Sequence, residues 1–138
     1  MTSRAVLFDI DGTLALRTGD RSPYDWHRVG EDEPNPPVIE LSRIVHAAGY
    51  RLILMSGRDE VCRQQTELWL DAQQVPFHEL HMRPEKDNRK DSIVKEELYR
   101  KYVEGRRDVA FVVDDRNQVV RMWRELGLSC FQVAEGDF

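Results

Sequence analysis

Apolar residues fall along this chain in short blocks separated by amphipathic stretches. Ala5–Phe8 is an apolar run of the kind that fills a strand buried on both faces. Val38, Leu41, Ile44, Val45 and Ala48 then recur at helical spacing, and Gly49 is placed to end that helix. Arg51–Met55 (RLILM) predicts a second buried strand. A helix from about Glu60 to Gln73 follows, with Val61, Leu68, Trp69 and Ala72 on one face. Phe77–Met82 reads as a weaker strand, and Ile93, Val94, Leu98 and Tyr102 mark a third helix. Asp108–Val113, with its VAFVV run, predicts a fourth strand. Val119, Met122, Trp123 and Leu126 line a fourth helix that Gly127 stops, and Ser129–Val133 makes a fifth strand. This alternation predicts an α/β fold with a central, mainly parallel five-stranded sheet and helices on both faces.

Two segments interrupt the alternation. Arg17–Pro37 holds two glycines, four prolines and many charges, and is too long for an ordinary connection; it reads as an insert after the first strand. Pro84–Arg89 is polar and reads as a loop. A length of 138 residues suits one domain spanning 1–138. No apolar run approaches membrane-spanning length, and the opening MTSRAVLFDI does not resemble a leader, so a cytoplasmic protein without membrane contact is expected. In that reducing compartment Cys62 and Cys130, far apart and without ligand spacing, read as packing residues. The four histidines form no ligand pattern either. A net charge of −5 excludes coating long stretches of nucleic acid, but leaves room for a strand end held by a few local arginines.

The chemistry lies where the predicted strands end. In an open parallel sheet, ligands bind at the carboxyl ends of the strands. Asp9 and Asp11 follow the first strand, Ser56 and Arg58 the second, Asp114 and Asp115 the fourth, so all project from one edge. Carboxylates gathered about 4 Å apart repel by roughly 4 kcal/mol per pair at an intermediate dielectric, which calls for protonation or a cation. Oxygen-only ligands point to a hard ion, Mg²⁺. Alternation along an extended segment puts Asp9 and Asp11 on one side, where one can attack phosphorus and the other handle the leaving group's proton. Gly12 permits a tight turn, and Thr13 can hold its hydroxyl back toward the loop.

Asp9-Ile-Asp11-Gly12-Thr13 resembles the first motif of the haloacid dehalogenase (HAD) phosphohydrolase superfamily; Ser56 matches its second motif, Lys95 its third and Asp114-Asp115 its fourth. The resemblance implies a Rossmann-like HAD fold, with Asp9 as nucleophile and Asp11 as general acid-base. It further implies that Ser56 and Lys95 bind the phosphoryl group. Asp9, Asp114, Asp115 and the backbone carbonyl of Asp11 would bind Mg²⁺. Over residues 7–138 the chain is similar to the 3′-phosphatase domain of phage-type polynucleotide kinase-phosphatases. The matching segments are Arg21-Ser-Pro-Tyr-Asp, Ser56-Gly57-Arg58, Arg89-Lys-Asp91 with Val94-Lys95-Glu-Glu, Asp114-Asp-Arg116 with Gln118-Val-Val and Met122-Trp-Arg, and Gly136-Asp-Phe. It departs from that pattern in a shorter stretch between Gly57 and Leu68 and around Pro84–Asn88.

The expected activity is therefore hydrolysis of a 3′-phosphate on DNA or RNA to a 3′-hydroxyl through an aspartyl-phosphate. Phosphate contacts are expected from Thr13, Arg21, Ser56, Gly57, Arg83 and Asp91, with Arg58 and Lys95 balancing charge on the reacting group. Arg58 carries planar paired donors suited to phosphate. Asp91 suits the N-cap of the third helix and lies four residues before Lys95. Arg116 can brace the loop of the acidic pair. Trp69 and Trp123 read as core, whereas Tyr24 and Trp26, in the insert, are candidates for stacking a nucleobase. No Gly-x-x-x-x-Gly-Lys-Ser/Thr run occurs, so no 5′-kinase activity is expected of the chain alone, and a kinase or ligase partner would be separate. Two other readings compete. One is a HAD phosphatase for a small phosphomonoester or a phosphoprotein. The other is a phosphoacceptor receiver domain, whose acceptor Asp usually follows a later strand.

Overall fold

The apolar blocks pair as parallel strands in the computed structural model, which describes residues 4–138. In chain order the elements are β1 (Ala5–Phe8), β2 (Ala15–Leu16), β3 (Glu33–Pro34), α1 (Pro36–Ala47), β4 (Arg51–Asp59), α2 (Arg63–Ala72), β5 (Glu79–Arg83), α3 (Asp91–Tyr102), β6 (Val109–Asp114), α4 (Asn117–Glu125) and β7 (Cys130–Gln132). The main sheet runs β5-β4-β1-β6-β7, with every neighbouring pair parallel. All four side chains of the central strand are fully buried. Alternation sends Val6 and Phe8 to one face, under α1 and α2, and Ala5 and Leu7 to the other, under α3 and α4.

Two helices bury a different stripe from the most apolar one. Val61, Leu68 and Ala72 face solvent, and the buried stripe of this segment is Cys62, Thr66, Trp69 and Leu70, one residue further on. A 3₁₀ turn over Glu60–Cys62 precedes α2 and takes Val61 out of the helical period, and Thr66 on the buried stripe accepts from Arg58. On α1 Ile44 and, at its C-cap, Ala48 are likewise exposed, while Ser42 is buried with its hydroxyl donating to the Ile39 carbonyl. Burial is thus shared by polar groups that satisfy themselves locally.

The insert is pinned rather than loose. β2 and β3 close it as an antiparallel pair, a 3₁₀ segment over Trp26–Glu31 buries Val29, and Trp26 packs half-buried against the core under α1 and α2. β4 runs past Met55 to Asp59, with an irregular register against β5 between Ser56 and Asp59. Such irregularities re-aim side chains, and this one carries Arg58. Among the described residues no helix is long and apolar enough to cross a membrane.

Candidate active site

Strand ends deliver the first half of the site. The Asp9 amide donates to the Val113 carbonyl (3.0 Å), which keeps the chain in sheet geometry one residue past β1. Asp9 stands two residues after Leu7, and Asp114 two after Val112, so both fall on the α3/α4 side. There Lys95, on α3 and fully buried, places Nζ 2.6 Å from Asp9 Oδ1 and 3.2 Å from Asp114 Oδ2. Thr13 Oγ1 donates to the other Asp9 oxygen (3.0 Å). Asp114 in turn accepts from the Asp115 amide (2.8 Å) and from Trp123 Nε1 (3.1 Å). The turn between the strand and Thr13 needs Gly12: its φ is +83°, and a Cβ there would stand 2.1 Å from Asp115 Oδ2.

Asp9, Asp114 and Asp115 each offer a carboxylate oxygen within 4.8 Å of the others, all buried. Burial, followed by repulsion from Asp114, pushes the Asp9 carboxyl well above its usual range, and burial raises Asp115 too. Burial opposes the charge on Lys95, but Asp114 and Asp9 outweigh it and hold the ammonium protonated. Three carboxylates against one ammonium leave a negative excess that a divalent cation would balance. The all-oxygen donor set fits Mg²⁺. The Asp11 carboxylate is not part of this cluster, which leaves its backbone carbonyl as its route to a metal.

The second half of the site lies on the α1/α2 side. Arg58, fully buried, forks onto Asp11, with Nη2 2.8 Å from Oδ1 and Nε 3.0 Å from Oδ2. The same Nη2 reaches Asp32 Oδ2 at 2.9 Å, and Nη1 donates to Thr66 Oγ1 (3.1 Å). Arg21, from the insert, forks onto Asp32 at 2.7 and 2.8 Å and stands 3.9 Å from Asp11. Trp69 Nε1 donates to the Asp32 carbonyl (2.8 Å), tying the insert to α2. Partial burial pushes the Asp11 carboxyl up, but Arg58, with Arg21 and Lys95 behind it, outweighs this and holds it below the usual carboxylate range.

The remaining candidates form a rim. Ser56 is buried and its Oγ accepts from the Arg58 amide (3.0 Å). Asp91 is the first residue of α3 rather than its N-cap, and Lys90 holds the cap position. Its carboxylate faces Arg83 (3.3 Å), Arg116 (3.7 Å) and Lys95 (3.9 Å). Gly57 lets it approach, since a Cβ there would meet Asp91 Oδ1 at 2.1 Å. Arg83 donates to the carbonyls of Gly57, Asp87 and Arg89 as well as to Asp91. These bonds make it a brace between β4, the loop before α3 and the start of α3. Arg116 ties the acidic loop to the final residues through the Phe138 carbonyl (2.7 Å) and ring.

Asp32, Thr66 and the indole N–H of Trp123 escape sequence reasoning. Asp32 is one of five acidic residues in the insert, and no pattern separates it from Asp20, Asp25, Glu31 or Glu33. For Trp123 one signal existed: a buried indole N–H needs an acceptor.

The model of the polynucleotide kinase PNKP phosphatase domain matches residues 3–138. A protein of Autographa californica nuclear polyhedrosis virus, "Putative bifunctional polynucleotide kinase/RNA ligase", is 40% identical over 126 residues, covering 89% of this chain and 18% of the viral one. A chain in a solved Pnkp1/Rnl/Hen1 complex superposes with a TM-score of 0.95 at 44% identity, over 99% of this chain and 48% of that one. The chain therefore spans less than half the length of these relatives. A D,D-heptose 1.7-bisphosphate phosphatase from B. bronchiseptica, solved with magnesium and phosphate, shares the fold at 13% identity. Its TM-score is 0.63, over 94% of this chain and 79% of that one. A match across nearly every residue, with close relatives bearing polynucleotide kinase or Pnkp1 in their names, means that this chain belongs to the HAD-type family of the polynucleotide kinase PNKP phosphatase domain.

Proposed function

We propose that the chain is a Mg²⁺-dependent polynucleotide 3′-phosphatase that converts the 3′-phosphate end of DNA or RNA to a 3′-hydroxyl, and that its whole length forms one phosphatase domain. The observation that carries the reading is the contrast between two carboxylates two residues apart. Asp9 is fixed by Lys95 and Thr13 inside a buried cluster, as a nucleophile needs; Asp11 is half-exposed and within reach of solvent, as an acid-base needs.

In the proposed sequence Asp9 attacks phosphorus and forms an aspartyl-phosphate, while the bond to the 3′-oxygen breaks. Asp11 gives that oxygen a proton, then takes one from the water that attacks the acyl phosphate and releases inorganic phosphate. Resting Asp11 is held ionised by Arg58, so it takes its first proton from solvent at its half-exposed side once the phosphoryl oxygens compete for that guanidinium. Lys95, Ser56 and Arg58 balance the phosphoryl charge, and Arg21 clamps from the insert. Asp9, Asp114, Asp115 and the Asp11 carbonyl would hold Mg²⁺, which when bound neutralises phosphoryl oxygens as a Lewis acid. The kinase and ligase in the relatives' names support a further reading, that a separate kinase or ligase acts on the same ends.

The test is phosphate release from a 3′-phosphorylated oligonucleotide, as DNA and as RNA, against the 5′-phosphorylated isomer, with and without EDTA. Strong preference for the 3′ end, abolished by EDTA and restored by Mg²⁺, is expected. Equal rates on both ends, with faster turnover of small phosphomonoesters, would instead favour a small-molecule phosphatase.

A further inference from the structure

The insert displays one large aromatic side chain that the chemistry above does not use. Tyr24 is 78% exposed, the most exposed of the large hydrophobic side chains among the described residues, although Trp26 two residues on is half-buried against the core. The exposure is built into the backbone. Ser22–Asp25 is a β-turn closed by the Asp25 amide on the Ser22 carbonyl (3.0 Å), with Pro23 at the position that favours it and Tyr24 next, at the apex. Two further bonds lock the turn: Ser22 N–H donates to Asp25 Oδ2 (3.1 Å) and Tyr24 N–H to Ser22 Oγ (3.2 Å). The Tyr24 ring stands perpendicular to that of Trp26, centroids 6.3 Å apart, so the two rings are not stacked face to face.

The turn is also anchored to the reacting end of the site. Arg21, the residue before it, donates to the Ser22 carbonyl (3.2 Å) and stands 3.9 Å from Asp11. Tyr24 is therefore carried on a fixed turn within a few residues of the proposed phosphate clamp. Charge cannot do much of the binding here: the insert carries five acidic residues against three arginines, and two of those arginines, Arg21 and Arg28, are already paired. Stacking does not need charge and accepts any base, because every base has a π-face.

We propose that Tyr24 is a nucleobase platform on which the terminal base of the 3′-phosphorylated strand stacks. This inference rests on the polynucleotide reading and adds the subsite that separates a nucleic acid end from a small phosphomonoester. It assigns Tyr24 to substrate binding, not to chemistry.

The test compares the full chain with Tyr24→Ala and Tyr24→Phe on two 3′-phosphorylated strands, one ending in a base and one whose terminal residue is abasic. Tyr24→Ala lowers kcat/KM about tenfold on the strand with the base and less than about twofold on the abasic strand, the loss residing in KM; Tyr24→Phe stays near wild type on both. In a second readout, fluorescence anisotropy with Asp9→Asn present to prevent turnover, Tyr24→Ala raises Kd by a similar factor only for the strand with the base. An equal loss on both strands, or no loss on either, overturns the platform while leaving the phosphatase reading intact. Wild-type chain that turns over neither strand refutes the phosphatase reading and the platform with it.

Discussion

On the α3/α4 side of the sheet edge, Asp9, Asp114 and Asp115 face a single Lys95; on the α1/α2 side, Asp11 and Asp32 face Arg58 and Arg21. The first group is electrostatically incomplete and the second is balanced. Incompleteness raises Asp9 by burial and then by Asp114, whereas on the balanced side Arg58 brings Asp11 down. The same segment thus yields a carboxylate that needs a cation and another that has already found one. The lesson is that the two sides do different work: one gathers charge for a ligand to neutralise, and the other builds a rigid polar frame from the insert. Buried paired charges contribute little net stability, but breaking one partner is costly.

The comparison breaks most severely at Asp9. Asp9→Asn keeps shape and removes the charge, so turnover falls by about four orders of magnitude or more. Steady-state phosphate release on the folded variant checks this, and near-normal turnover would remove Asp9 from the role of nucleophile. On the balanced side the largest effect is structural. Asp32→Ala leaves Arg58 and Arg21 without their shared carboxylate and destabilises by about 3–5 kcal/mol in urea unfolding. Glu97→Ala, which removes an exposed partner of Arg89, leaves stability nearly unchanged. Similar values for the two would mean that the Asp32 network is not a frame.

A matched pair of tryptophans sharpens the contrast. Trp123→Phe removes the indole donor to Asp114 and weakens Mg²⁺ binding roughly tenfold, read by calorimetric titration. Trp69→Phe removes the donor to the Asp32 carbonyl and leaves Mg²⁺ affinity unchanged, with a stability loss of about 1 kcal/mol. Equal effects on metal affinity would show that the two sides are not separable.

The smallest effect concerns pH. Asp9 is raised in the folded chain without metal, so between its unfolded and folded pKa the folded state holds a proton that the unfolded state has lost. That contribution favours the fold below the unfolded pKa and is lost as pH rises through the folded one. Mg²⁺ competes with the same proton and stabilises only the folded chain. The rise in Tm on adding Mg²⁺ should therefore be larger at pH 8 than at pH 5, by about a few degrees. A pH-independent rise would mean that the cation does not sit on the Asp9 cluster.

Much of the fold was legible because strands buried on both faces leave continuous apolar runs, as in AVLF and RLILM. The end of AVLF, and with it Asp9 and Asp11, follows from counting residues; β4 instead runs on to Asp59, and an irregular register that no apolar run marks aims Arg58. Helix faces were less legible. On α2 two stripes one residue apart compete, and the buried one holds Thr66, a polar residue whose partner Arg58 comes from β4. Asp91 carried plausible capping chemistry in the sequence, but it is the first residue of α3 and its carboxylate faces Arg83 and Arg116, partners that no local pattern announces.

By itself the sequence determined the alternating α/β order, the strand-end carboxylates and the motif spacing, because each depends on local period and on turns of a few residues. Only the tertiary structure decided that Asp32, alone among five insert acids, is buried between two arginines, that Trp123 holds Asp114, and that Tyr24 is left outside. Those outcomes depend on how an irregular insert and two helices approach the sheet edge. A carboxylate in such an insert has no periodic neighbour to announce its burial; its partners are supplied across space by residues 11 and 26 positions away, Arg21 and Arg58.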